Sequence, residues 1–189
     1  MEQKNVLLII GSVRAGRVSP KIAEWIARIG RDATRLSYEV VDLADWPLPM
    51  DDEPAIPAAG IYGQAHTRAW SDKIKSAGAV IFVTPQYNWG YPAVLKNAID
   101  HLFSEWRDKP VIFVTFGGHG GTKCAKQLKQ VAKAVKMRVV SNAPGIVLSD
   151  AVIREGAPVD PDRDFKRHAK PIRKALLRLA RHIGAANAA

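Results

Sequence analysis

A single cysteine, Cys124, stands among 189 residues, which excludes an internal disulfide, and no clustered ligands around it form a metal motif. It is at most a free thiol. Long apolar runs are also missing: none approaches the roughly 20 residues that a membrane-spanning helix needs. The opening MEQKNVLLIIG carries one lysine, a short apolar run and no small-residue cleavage site. It reads as a first strand rather than a signal peptide, and a cytoplasmic protein without a membrane partner is expected. Internal repeats and low-complexity tracts are absent, and the GAANAA tail is expected to fray. Acidic side chains are scarce as well, 18 against 28 lysines and arginines, for a net charge of +10. Such a balance raises nucleic acid as a partner. Yet Lys123, Lys126, Lys129, Lys133 and Lys136 recur every three or four residues opposite Leu128, Ala132 and Val135, as on a solvated helix face. A second basic group, Arg167 to Arg181, flanks another apolar stripe. Without an RNA-binding aromatic signature, zinc-finger spacing or a basic zipper, these faces argue against nucleic acid and for attraction of anionic cofactors and substrates.

What is present has the composition of a globular chain, 47% hydrophobic and 24% charged. Its length falls within the usual range for one unit, so residues 1–189 read as a single domain. Five strand candidates stand out: VLLII at 6–10, YEVVDL at 38–43, AVIFVT at 79–84, VIFVTF at 111–116, and RVV leading into GIVL at 138–148. Several are continuous and rich in Val and Ile, as a strand covered on both faces is. Helical spacing lies between them: Ile22, Trp25, Ile26 and Ile29; Trp70, Ile74 and Ala77; Leu95, Ala98, Ile99, Leu102, Phe103 and Trp106; then the lysine-faced helix, and Ile172, Leu176, Leu179 and Ile183 at the end. The alternation predicts an α/β fold, a doubly wound parallel sheet between helices. Phe103 and Trp106 are expected in the core or at a subunit contact. The proline-rich, acidic stretch 44–64 reads either as the rim of a site or subunit contact or as a solvated linker.

In such a sheet, ligands sit beyond the carboxyl ends of the strands. The stretch IIGSVRAGRVSPKIAEWI, residues 9–26, lies there. Ser19 followed by Pro20 predicts a helix start, with Ser19 as N-cap and Pro20 in the first helical position. The helix end favours an anion. Ser12 and Ser19 add hydroxyls, Arg14 and Arg17 add guanidinium groups, and Gly11 and Gly16 allow close backbone approach, a set suited to a phosphate monoester. GSVRAG lacks the central glycine of the dinucleotide fingerprint, and Arg17-Val18 replaces the Lys and hydroxyl pair of the triphosphatase loop. Asp42 imitates a ribose-binding acid but, without that fingerprint, reads as a loop residue. No G-x-S-x-G elbow is present.

Two further strand ends complete the picture. PQYNWGYP, residues 85–92, sets Tyr87, Trp89 and Tyr91 beside Asn88 and Gly90, with Pro92 expected to start a helix; Trp89 reads as a stacking ring or pocket wall. GGHGG, residues 117–121, exposes backbone amides with few side chains in the way. His119 there either touches a ligand or faces water. Phosphate seat, flat ring surface and polar edge together describe flavin mononucleotide, FMN.

The segments GSVRAGRVSPKIAEW, PQYNWGYPAVLKNAIDHLFSEW and FGGHGGTKC resemble those of the NADPH-dependent FMN reductase family, flavodoxin-like reductases of quinones, azo compounds or chromate. The likeness spans about residues 5–150. It implies a flavodoxin-like five-stranded parallel sheet, order 2-1-3-4-5, and homodimers or homotetramers. By position, Ser12, Arg14 and Ser19 match phosphate binders, with Arg17 added. Pro85, Gln86, Tyr87 and Asn88 match the segment along the flavin ring, and Gly117, Gly118, His119 and Gly120 match the loop at its pyrimidine side. The chain departs at Gln86, where many relatives carry Glu. Ping-pong hydride transfer from NADPH or NADH to a small-molecule electron acceptor such as a quinone is implied, with no catalytic acid, base or nucleophile required of the protein. A flavin-binding electron carrier or redox sensor, and a polyanion binder on the same scaffold, are the alternatives.

Overall fold

The computed structural model describes residues 5–50, 52–142 and 145–185. Its parallel sheet has the order β2-β1-β3-β4-β5, as expected. The chain runs β1 (Asn5–Ile10), α1 (Ser19–Ala33), β2 (Ser37–Asp42), α2 (Ala65–Lys75), β3 (Ala77–Pro85), α3 (Ala93–Asp100), β4 (Pro110–Gly117), α4 (Thr122–Ala134) and β5 (Arg138–Asn142). A two-residue strand β6 (Ile146–Val147), then α5 (Asp150–Arg154), α6 (Pro161–Asp164) and α7 (Lys166–Ala185) follow.

The central strands are apolar at nearly every position because both faces are covered, with Thr84 and Thr115 the buried polar exceptions near the rim. Alternation along β1 divides the core: Val6, Leu8 and Ile10 meet Ile22, Trp25 and Ile26 of α1 and Ile172, Leu176 and Leu179 of α7. Leu7 and Ile9 turn the other way, toward Trp70 and Ile74 of α2, Leu95 and Ile99 of α3, and Leu128 of α4. Each fully buried side chain of this kind contributes about 1.5–3 kcal/mol. Register aligns the strands at the rim, with Ile10 opposite both Asp42 and Val83.

Four expectations shift by a residue or a few. The fifth strand is split: β5 pairs with the first half of β4, and β6 pairs with its end, Phe116 and Gly117. Ala77 begins β3 instead of ending a helix, pairing with Asn5. Pro92 lies one place outside α3, its extended ψ of 145° holding it as N-cap. Finally α3 stops at Asp100, and Trp106 reaches the core from a short 3-10 turn, Ser104–Trp106, where Phe103 is only half-buried. The lysine face holds from Lys123 to Lys133, with Leu128 and Ala132 buried beneath it, but α4 stops at Ala134, so Val135 is its C-cap and Lys136 lies past it with φ 62°. Of the GAANAA tail, the last four residues lie outside the described residues.

Past residue 148 the chain is latched to α1. Trp25 Nε1 donates to Asp162 at 3.1 Å, Arg28 pairs with the same carboxylate, and Trp25 meets Phe165 edge-on at 5.9 Å. Lys21 Nζ also reaches the Val159 carbonyl at 3.2 Å. These contacts hold the segment carrying α5 beside the head of α1.

Candidate functional site

The rim at the carboxyl ends of β1, β3 and β4 begins with a turn closed by Arg17 N–H donating to the Arg14 carbonyl at 3.3 Å, with Gly16 at φ 70°. The turn brings Val18 to near-helical angles, and Ile22 N–H bonds to its carbonyl at 3.2 Å. Val18 is therefore the N-cap, and Ser19 is the first helical residue rather than the cap. The correction matters, because the Ser19 hydroxyl is fully buried and has no hydrogen-bond partner among the described residues. It lines a cavity of about 550 Å³ at the helix head. Arg17 differs from expectation too. Its guanidinium pairs with Asp42, which ends β2 and also caps the next turn through Ala44 N–H, so Asp42 is an ion-pair partner and not a free loop residue. Arg17 Nε remains buried and, among the described residues, unpartnered.

The second loop leans on the first. Ser12 Oγ and Tyr87 Oη share a hydrogen bond at 2.8 Å, and the Arg14 guanidinium lies over the Tyr87 ring at 4.0 Å. Asn88 and Trp89 both have positive φ, the two-residue turn between Tyr87 and Gly90, whose backbones bond to each other at 2.8 and 2.9 Å. Gln86 has a specific job: its Oε1 accepts from the Lys123 and Cys124 amides, both at 3.1 Å. Because the α4 cap is Gly121, which has no side chain, Gln86 satisfies the open helix end from the neighbouring loop.

In the third loop, Gly117 and Gly118 border the cavity, and a Cβ on Gly118 would already touch Ile153 at 3.5 Å. Gly120 is buried against Gly145, and its carbonyl accepts from Thr115 Oγ1 at 2.9 Å, so it shapes the turn. His119 is exposed. Of the residues singled out from sequence, Arg14, Arg17, Ser19, Pro85, Gln86, Tyr87, Gly117 and Gly118 meet at the cavity. Ser12 supports it through Tyr87, whereas Asn88, Trp89, His119 and Gly120 do not line it. Trp89 is 65% exposed beneath Lys123, whose Nζ is 4.7 Å from the ring. Sequence reasoning missed a whole wall: Leu148, Val152, Ile153, Arg154, Glu155 and Gly156. The signal was Ser149, whose hydroxyl accepts from Val152 N–H and starts α5 where the chain leaves β6.

The profile of the family described as NADPH-dependent FMN reductase matches residues 4–148. The chain belongs to that family. An NAD(P)H-dependent FMN reductase of Schizosaccharomyces pombe is 51% identical over 173 residues, 90% of this chain and 86% of the relative. A quinone reductase of Escherichia coli K12 is 31% identical, covering 69% and 70% of the two chains. Among solved structures, FerB, a flavoenzyme NAD(P)H:(acceptor) oxidoreductase from Paracoccus denitrificans, superposes with a TM-score of 0.70 at 23% identity, over 95% of this chain and 98% of that one. The fold is thus flavodoxin-like, and the family is one of FMN-dependent NAD(P)H oxidoreductases.

The residues present fit the family's cofactor. A buried hydroxyl and a buried guanidinium nitrogen without partners, at an open helix N-terminus, are donors awaiting an anion. Side-chain-free Gly117 and Gly118 and the apolar Leu148, Val152 and Ile153 suit a flat ring. Cysteine chemistry has no place here, since Cys124 is buried and its thiol is pushed up to about 12.

Proposed function

We propose that the chain, acting as one unit over residues 1–189, passes electrons from NADPH or NADH to a quinone or similar small acceptor in two alternating half-reactions. Bound FMN would supply the hydride chemistry. The observation that carries this reading is the buried, unpartnered Ser19 hydroxyl at the head of α1, opening onto a cavity bounded by three strand-end loops. Arg14, Ser19 and the first amides of α1 hold the phosphate, and Arg17 contributes its Nε while Asp42 balances its charge. Tyr87, fixed by Ser12 and Arg14, and the amides of 117–118 orient the ring. Leu148, Val152 and Ile153 exclude water from one side. Exposed Trp89 suits burial against a second copy, in keeping with a homodimer or homotetramer. Among the described residues no helix is long and apolar enough to cross a membrane, which is compatible with work in the cytoplasm.

Anaerobic mixing of the FMN-loaded protein with NADPH and NADH separately, followed by a quinone panel, tests the proposal. Flavin bleaching by a nucleotide and recovery of colour with a quinone are expected. Yellow protein that neither nucleotide bleaches would favour the electron carrier instead.

A further inference from the structure

The stretch 44–64 lines none of the flavin cavity, yet it is held in place. Glu53 accepts from the Gly63 and Gln64 amides at 2.8 and 3.0 Å, and Tyr62 Oη donates to Glu105 at 2.9 Å. Within this stretch Asp52 meets two histidines from elsewhere, His66 in the first turn of α2 and His101 just beyond α3. His66 Nε2 lies 3.0 Å from one Asp52 oxygen and 3.2 Å from the other, which His101 Nε2 approaches at 3.8 Å. The three ligand atoms fall within 4.8 Å of one another. A tetrahedral centre with bonds of about 2.0–2.2 Å places its ligands about 3.3–3.6 Å apart, a spacing that the 3.0 and 3.8 Å separations of the histidines from Asp52 bracket.

His101 supplies an independent observation. Its side chain is 4% exposed, and its Nδ1 lies 2.9 Å from the Asn97 carbonyl oxygen, an acceptor that fixes the proton on Nδ1. Nε2 is left with a lone pair, buried and without a hydrogen-bond partner among the described residues, aimed at a carboxylate oxygen that is also an acceptor. Two acceptors facing each other beyond hydrogen-bond reach are what a cation resolves, and a backbone carbonyl on the far nitrogen is how ligating imidazoles are oriented. Beside them a cavity of about 340 Å³, lined by Asp52, Asn97, Asp100, His101 and the 53–57 segment, has room for a further ligand. It shares no lining residue with the flavin cavity.

We propose that Asp52, His66 and His101 bind one divalent transition-metal cation of the zinc class, with water from the adjoining cavity as fourth ligand. Two imidazoles and one carboxylate suit Zn²⁺, whereas Mg²⁺ and Ca²⁺ favour all-oxygen sites. The ion ties the 44–64 stretch to α2 and to the end of α3. Nothing in this depends on the flavin reading.

The test is calorimetric titration of chelator-stripped, FMN-loaded protein with Zn²⁺, with Mg²⁺ as control. One Zn²⁺ per chain is expected, with no Mg²⁺ competition. Asp52→Asn, His66→Gln and His101→Gln should each weaken binding at least about 100-fold, the scale already reached by groups that merely orient a ligand. Flavin content should stay unchanged. If buried His101→Gln fails to fold, the other two variants, at part-exposed positions, decide. Absence of a one-to-one site, or wild-type affinity in Asp52→Asn and His66→Gln, would overturn the proposal.

Discussion

Two buried polar groups in this molecule have opposite fates. Glu105 is buried under α2, and its carboxylate accepts from Ser71 at 2.7 Å, Tyr62 at 2.9 Å and Ser104 at 3.0 Å, with Lys75 Nζ at 3.6 Å. Ser19, buried at the head of α1, meets no partner among the described residues. A satisfied buried charge holds a fold together, whereas an unsatisfied donor beside a cavity marks the place a ligand completes. The first is structure and the second is function, although both look alike in sequence as polar residues within amphipathic segments.

The largest expected effect falls on the satisfied side. Glu105→Ala strands the buried Ser71 hydroxyl and deprives the part-buried Tyr62 hydroxyl of its acceptor, and should destabilise the protein by about 2–4 kcal/mol in urea unfolding, with FMN stoichiometry unchanged. Loss of flavin without loss of stability would reverse the assignment. Acid sharpens the same point. Burial raises the Glu105 pKa, but hydrogen bonds from Ser71, its own backbone amide, Tyr62 and Ser104 outweigh it and hold the carboxyl below its ordinary value. Its stabilisation is therefore complete above the unfolded pKa and is lost as pH falls through the folded one. A pH series of unfolding midpoints should show an acid decline that is flatter in Glu105→Gln.

On the unsatisfied side, Arg14→Ala should weaken FMN binding by about 1.5–3 kcal/mol, read by fluorescence titration, with the midpoint of the flavin-free protein unmoved. Unchanged FMN affinity would remove Arg14 from the phosphate seat. The smallest effect carries the sharpest sign. Ser19→Ala deletes a buried hydroxyl that has nothing to bond, so the flavin-free protein should gain stability while FMN affinity falls by about 1 kcal/mol. A loss of stability in the flavin-free variant would mean that Ser19 has a partner within the protein.

The parallel sheet was readable because β1, β3 and β4 are nearly continuous apolar runs alternating with helical spacing, as strands covered on both faces are, whereas the strand order came from the family resemblance. The three loops followed from the strands, since the sheet dictates which ends face the ligand. What sequence missed is mostly non-local. Ser19 left its expected capping role because a turn at Arg14–Arg17 started the helix a residue early. Arg17 was claimed by Asp42, a residue 25 positions away, and Gln86 proved to serve the opening of α4. For the 148–156 wall, Ser149 signals the start of α5 but not where α5 lies, since that depends on Trp25 and Arg28 gripping Asp162. The Asp52, His66 and His101 cluster is equally dispersed, with no spacing that would announce it.

The central claim is that the head of α1 is a seat for a phosphate, and riboflavin is FMN without one. Parallel fluorescence titrations of the flavin-free protein should show FMN binding at least about 100-fold more tightly than riboflavin, because several charge-assisted hydrogen bonds depend on that group. Equal affinities for the two would contradict the account.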